Sequence, residues 1–191
     1  MSIEVPAGRL MLTNVRLAFP NLFEPTTVNG EGEPRYGCTL LLPPDHPQLA
    51  EITKKMQAVA KEKWKDKAPE FYKAMAKTDK LALHDGDIKP SYDGFPGNQF
   101  ISAASQKNNR PTVIDANRAP LTEKDGKVYA GCYVNASVEF WTQDNAYGKR
   151  INAQLRGVQF LRDGDAFSAG RPADADEFEE VTAGADAGDF A

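Results

Sequence analysis

Residues 127–141 and 149–161 alternate apolar and polar side chains with a period of two, over a length that few folds accommodate. In the first segment Val128, Ala130, Cys132, Val134, Ala136, Val138 and Phe140 share one face, and Tyr129, Tyr133, Asn135, Ser137, Glu139 and Trp141 share the other. In the second, Ile151, Ala153 and Leu155 oppose Arg150, Asn152, Gln154 and Arg156. Such alternation marks a strand with one buried face. The intervening QDNAYG, 143–148, is the expected turn. Gly157 is expected to be a bulge, because Val158 and Phe160 become the apolar positions after it.

The rest of the chain fits a β-rich body. Residues 9–19 read as a strand with Met11, Thr13, Val15, Leu17 and Phe19 on its core face. Pro20 and Pro25 are expected to bracket a turn carrying Leu22 and Phe23, and 26–34 to be a loop. A second strand over 35–42 stops at Pro43-Pro44. A helix follows, with Asp45 as N-cap and Pro47 in its first turn. Leu49, Ile52, Met56, Val59, Ala60 and Trp64 lie at helical spacing along it. Pro69 starts a shorter helix over 69–77. Residues 84–97 are too rich in Gly, Pro and Asp for regular structure, 98–104 and 111–115 read as strands, and 119–126 as a turn. Strands outnumber helices and do not alternate with them. That pattern predicts a small barrel or strongly curved sheet with a helical insertion at about 45–77, within a body of residues 1–167.

Residues 172–191 contain Asp174, Asp176, Glu177, Glu179, Glu180, Asp186 and Asp189 and no Lys or Arg. The chain carries −4 in all, so residues 1–171 carry +3 and the tail about −7. Few large apolar residues follow Phe167, and 168–191 are expected to be a disordered acidic tail. Three roles fit it: a ligand that sets a near-terminal ring, Phe190, in an apolar pocket while Asp186 and Asp189 meet a basic rim; a mimic of a nucleic-acid backbone in the body's own groove; or a solubilising segment.

No run of about 18 apolar residues and no signal-peptide pattern occurs, so the expected setting is the cytoplasm, with no membrane partner. Cys38 and Cys132 sit in strand-like segments without CxxC spacing and read as a buried reduced pair. Asp85, Asp87 and Asp93 suit a turn as well as a cation, with no Lys or Glu placed to complete a site. Phosphate-loop, nucleophile-elbow and zinc signatures are missing. The expectation is a protein with no catalytic activity, metal or cofactor.

What remains is a supply of aromatic and cationic side chains. Single-stranded nucleic acid is bound by stacking bases on rings and by screening phosphates with Lys and Arg. The candidate stacking residues are Tyr92, Phe95, Tyr129, Tyr133, Trp141 and Tyr147. The candidate phosphate contacts are Arg35, Lys107, Arg110, Arg118, Lys149, Arg150 and Arg156. Two placements fit each strand aromatic, a platform or a core residue beneath the helices, and Tyr92 and Phe95 fit a barrel plug equally. Rival readings are a protein-interaction module of a replication or recombination complex, or a binder of RNA or duplex DNA.

Four stretches carry a resemblance: NVRLAFPNLFEP at 14–25, RYGCTLLLP at 35–43, DGDIKPSYDGFPGNQFISAASQKNNRPTVID at 85–115 and GKVYAGCYVNASVEFW at 126–141. They are similar to the bacteriophage single-stranded DNA-binding proteins that have an OB-type fold. The resemblance implies an OB-fold-like β-barrel, single-stranded DNA as partner, and a role in phage replication or recombination in a bacterial host. Proteins of that kind commonly end in acidic residues and a terminal Phe that recruits replication enzymes. Here Ala191 follows Phe190, so a pocket reading ring and carboxylate together finds them displaced. Strand edges left open by such barrels also invite pairing into a homodimer.

Overall fold

The computed structural model describes residues 4–28 and 30–167. Of the first alternating segment only the part from Tyr133 is strand. β6 (Tyr133–Asn145) and β7 (Gly148–Arg162) form an antiparallel hairpin paired along its whole length. Residues 127–132 ahead of it are irregular, with Gly131 at φ 110°, and the turn expected over 143–148 is corrected to Ala146–Tyr147. β1 (Arg9–Val28) pairs antiparallel with β6 on one side and with β2 (Glu31–Leu42) on the other. β2 pairs with β4 (Gln99–Gln106), and β4 meets β7 in parallel at Ala103↔Ala153 and Ala104↔Gln154. That last contact closes the ring β1–β2–β4–β7–β6, a five-stranded barrel of the OB type. Short β3 (Leu83–Asp85) lies on β4, and β5 (Thr112–Ile114) runs parallel to β7.

The barrel interior takes the apolar face of each strand, including Leu12, Leu40, Ile101, Val134, Ala136, Val138, Ile151 and Leu155. The bulge expected at Gly157 is present: Ser137 opposes Gly157 but Val138 opposes Leu155. Gly157 also lies against β5, where a Cβ would sit 3.2 Å from the Thr112 carbonyl oxygen.

The helical insertion follows β2. α1 (Leu49–Trp64) buries Ile52, Met56, Val59 and Ala60 against the barrel, and α2 (Ala68–Lys77) folds back on it. The helix does not begin at Asp45, which is exposed, and Pro47 precedes it; its N-cap is Gln48. Gln48 offers α1 no side-chain cap because its amide serves β1, accepting from the Thr13 N–H and donating to the Met11 carbonyl at 2.8 and 2.9 Å.

Two expectations about β1 are corrected. Residues 20–25 are not a turn, since β1 runs on to Val28, which pairs with Glu31. Pro20 and Pro25 are tolerated because the pairing with β2 shifts register there and no ladder N–H is needed. The long loop expected over 26–34 is corrected as well, since β1 extends to Val28 and β2 starts at Glu31. The core face of β1 is also different. Leu10, Leu12, Val15 and Leu17 are buried, while Met11, Thr13 and Phe19 are exposed. A bulge between Leu12 and Val15, with Asn14 at φ 54°, flips the alternation, and Phe19 at φ 46° flips it again.

A second, smaller core lies outside the barrel. Ala18, Leu41, Phe95, Phe100 and Phe167 pack together beneath the 86–98 loop and the end of the body. Gly94, at φ 81°, is required here, because a Cβ would stand 2.6 Å from the Phe167 ring. The Phe167 N–H donates to the Ala130 carbonyl at 3.1 Å, anchoring the body's last described residue.

Candidate nucleic-acid interface

Outward-facing residues of β6 and β7 meet those of β4 and β2 across a cleft of about 640 Å³. Trp141 and Gln143 come from β6, Arg150, Asn152 and Gln154 from β7, Ser102, Ala104 and Gln106 from β4, and Arg35 from β2. Tyr147 stands over it from the β6–β7 turn and Asn109 from the segment after β4. Tyr147 is 86% exposed and Trp141 43%, far more than packing alone leaves. The Asn145 carboxamide oxygen accepts the Tyr147 N–H at 2.9 Å and shapes the turn that presents the ring. Among the described residues, neither Arg35 nor Arg150 is in an ion pair or a side-chain hydrogen bond, so both guanidiniums are available. The amides are preorganised: Asn152 Nδ2 donates to Gln143 Oε1 at 3.0 Å.

The outer face continues beyond the cleft. Gly37 opposes Ala104, and Thr39 opposes Ser102, with the two hydroxyls 3.5 Å apart. These small side chains leave a shallow floor on which a flat group can approach the backbone. Ala18 pairs with Thr39, so Phe19 stands at the far end of this row. Phe19, 47% exposed, meets Tyr92, 44% exposed, edge to face at 5.0 Å. The Lys89 ammonium lies 5.9 Å from the Tyr92 ring. One surface thus runs from an aromatic and cationic cleft, over a small-residue floor, to a second aromatic and cationic group.

Of the sequence candidates, Trp141, Tyr147, Arg35 and Arg150 are gathered in the cleft and Tyr92 at the far end, while Arg110 follows the cleft residue Asn109. Others are placed elsewhere. Phe95 is 1% exposed and stacks within the second core, so the expectation that it offers a face to a base is corrected. Tyr129 is half-buried, and its hydroxyl donates to Asp163 and accepts from the Gly164 N–H, tying down the end of the body. Tyr133 has the Arg162 guanidinium 3.7 Å from its centroid and that of Arg16 at 5.6 Å. Arg156 is half-buried and bonded to Glu139, which also faces Arg9. Lys149 turns toward α2, over the Phe71 ring at 4.7 Å and beside Asp144 at 3.5 Å. Lys107 pairs with Glu33 at 3.5 Å across exposed surface. Arg118 sits in the 115–119 turn, which packs by Gln159 rather than in the cleft. Asp186, Asp189 and Phe190, with the expected tail 168–191, lie outside the described residues.

Several participants went unnoticed in the sequence. Asn152 and Gln154 share a face with Arg150, so the alternation already held them, whereas Gln143 fell in the stretch expected to be a turn and is carried outward by the longer β6. Phe19 had no such signal, because its exposure follows from two flips of the backbone. Among the described residues there is no group of three or more His, Cys, Asp or Glu side chains able to hold a metal ion. Asp85 and Asp87 instead accept the N–H groups of Asp87 and Gly97 in a turn. Cys38 and Cys132 are buried free thiols, and burial pushes the Cys38 thiol up to about 12. No helix among the described residues is long and apolar enough to cross a membrane.

Comparison with known proteins places this surface in context. Residues 8–190 match the family described as Enterobacter phage Enc34, ssDNA-binding protein. The p50 protein of Acyrthosiphon pisum secondary endosymbiont phage 1 is 47% identical over 177 residues, covering 91% of this chain and 94% of that protein. The structure of the single-stranded DNA-binding protein from bacteriophage Enc34 in complex with ssDNA superposes with a TM-score of 0.69 at 31% identity, covering 85% of this chain and 90% of that one. The single-stranded DNA-binding protein gp2.5 of bacteriophage T7 shares the fold, with a TM-score of 0.56 at 14% identity, over 91% of this chain and 98% of that one. The chain belongs to the Enc34-type family of phage single-stranded DNA-binding proteins.

Proposed function

We propose that this protein binds single-stranded DNA with little sequence preference, and that the strand lies across the outer face of β7, β4 and β2. The observation that carries this reading is the pairing of exposed rings with unpaired guanidiniums in one cleft: Trp141 and Tyr147 beside Arg35 and Arg150. Bases stack on the rings without regard to identity, because every base has a π-face. The guanidiniums and Arg110 take phosphates, and Gln143, Asn152, Gln154 and Asn109 offer polar contacts to sugar and backbone. The floor of Gly37 and Ala104 lets the strand pass close to the sheet toward Phe19, Tyr92 and Lys89. Such a protein would protect single strands during phage replication or recombination in the host cytoplasm, with no chemistry of its own.

The tail enters through charge. About −7 on residues 172–191 competes with DNA for a body of +3, so deleting those residues tightens binding, most at low salt. Asp186, Asp189 and Phe190 are also available to replication or recombination proteins, and two copies pair through open strand edges; light scattering at increasing concentration tests the pairing.

Titration with oligo(dT) at two salt concentrations tests the function. Saturable binding that weakens with salt, and is stronger than for oligo(U) or a duplex, is expected. No saturable binding at low salt sinks the proposal, and preference for oligo(U) or duplex reassigns the ligand.

A further inference from the structure

One wall of the cleft is a ribbon that the barrel itself does not hold. β1 pairs with β6 only as far as Arg9↔Glu139, and β4 meets β7 only at Ala103↔Ala153 and Ala104↔Gln154. Among the described strands, residues 141–152 therefore pair only with one another. A lone two-stranded ribbon is marginally stable in water. Tyr147, at its turn, is 86% exposed and gains little from packing. Support for the ring has to come from the ribbon's other face.

The pairs Trp141↔Asn152 and Gln143↔Arg150 line the cleft. Between them, Thr142↔Ile151 and Asp144↔Lys149 belong to the opposite face, toward the helical insertion. There Ile151 is buried in the main core, and its N–H donates to the Lys80 carbonyl at 3.0 Å. Nearer the turn the support is a closed circuit of side chains. The Trp64 indole N–H, at the end of α1, donates to Asp144 Oδ2 at 3.0 Å. Asp144 Oδ1 meets Lys149 Nζ at 3.5 Å. That ammonium lies 4.7 Å from the centroid of Phe71 on α2, and Phe71 meets Trp64 edge to face at 5.8 Å. The indole N–H, and after it Lys149, hold the Asp144 carboxyl below the usual carboxylate range.

We propose that Asp144 is a positioning residue for DNA binding: by linking Trp64 to Lys149 it clamps the ribbon to the helical insertion and holds Tyr147 over the cleft. The ribbon is then ordered on folding, and DNA meets a ring already in place. This role presupposes that DNA crosses the cleft. Charge alone predicts the opposite sign of effect. Removing an acid beside a DNA surface tightens binding, whereas loosening the ribbon weakens it.

The test is a mutant cycle on the full chain, titrated with oligo(dT) well below each variant's melting temperature. Asp144→Ala should weaken binding about fivefold, the cost of ordering roughly one side chain on association. Trp64→Phe removes the N–H, keeps a ring beside Phe71 and alters no charge; it should weaken binding to a similar extent. In a Tyr147→Ala chain neither change should weaken binding further. A clamp that served stability alone would lower the melting temperature and leave these affinities unmoved. Unchanged or tighter binding in either variant, or losses that add in full to that of Tyr147→Ala, overturn the proposal. Tyr147→Ala with unchanged affinity would overturn it differently, by removing Tyr147 from the path of the DNA and so contradicting the placement of the strand over that ring.

Discussion

Two places on the barrel wall combine aromatic rings with arginines, and they behave differently. In the cleft, Trp141 and Tyr147 stand exposed beside Arg35 and Arg150, and no described acid or ring engages either guanidinium. At the other end of β6, Tyr133 lies against Arg162 and Arg16, and Arg16 also covers the Phe167 ring at 4.5 Å. Arg16 further donates to the carbonyls of Gly131 and Asp165, and Arg162 to the Asn14 side chain. The residue types are the same, but the second group has satisfied itself. Its cations and rings hold the end of the body onto the barrel. The lesson is that composition marks where a nucleic-acid surface is feasible, while mutual engagement decides where it is free.

That contrast is broken most directly by removing rings. The W141A/Y147A pair should weaken oligo(dT) binding by at least about 30-fold, since each stacked base contributes on the order of 1–3 kcal/mol, with little change in melting temperature. Tyr133→Ala should do the reverse: about 2 kcal/mol of lost stability, read as a fall of roughly 4–8 °C in Tm, with binding nearly unchanged. If Tyr133→Ala costs more affinity than the cleft pair, the two regions have been assigned the wrong way round.

A smaller effect tests how far the DNA surface extends. Phe19→Ala and Tyr92→Ala should each weaken binding about fivefold, the low end of a stacking contact, by titration with oligonucleotides long enough to pass the Gly37–Ala104 floor. Short oligonucleotides confined to the cleft should not register either change. Equal affinity of both variants at every length would confine the site to the cleft.

The arginines give a finer reading. Arg150→Gln should lower the slope of log K against log salt by about 0.7, the value for one phosphate on a single strand. Arg156→Gln should leave the slope unchanged, because that guanidinium already faces Glu139. The effect that should leave DNA binding untouched belongs to the core. Burial holds Cys38 protonated up to about 12. The unfolded thiol ionises near 8.5, so stability should be full below that pH and decline as pH rises from there toward 12. Denaturant melts across this range check it, and DNA affinity measured below the unfolding transition should not follow the decline.

Much of this was legible in the sequence because a period of two survives packing. The alternation over 127–141 and 149–161 named the outward rows to which Trp141, Arg150, Asn152 and Gln154 belong, and Gly157 announced its own bulge. The sequence does not carry the point at which alternation fails without a glycine. Asn14 and Phe19 adopt positive φ, move Met11 and Phe19 outward, and carry β1 through two prolines that read as a turn. Nor does it carry pairing at a distance. Arg156, Lys149 and Lys107 look as free as Arg35 and Arg150 until Glu139, Asp144 and Glu33 are set beside them. Phe95 reads as a loop aromatic because the second core that buries it is assembled from four separate segments.

The chain's two tryptophans allow the central claim to be tested directly. Trp141 lies in the cleft, while Trp64 ends α1 with its indole N–H donated to Asp144 at 3.0 Å. Two single-tryptophan variants, Trp64→Phe and Trp141→Phe, should be titrated with oligo(dT) while intrinsic fluorescence is followed. With Trp141 alone, fluorescence should be quenched saturably and recover with salt; with Trp64 alone, it should stay nearly constant while DNA is still bound. Quenching of Trp64 with Trp141 silent would contradict the placement of DNA across the cleft.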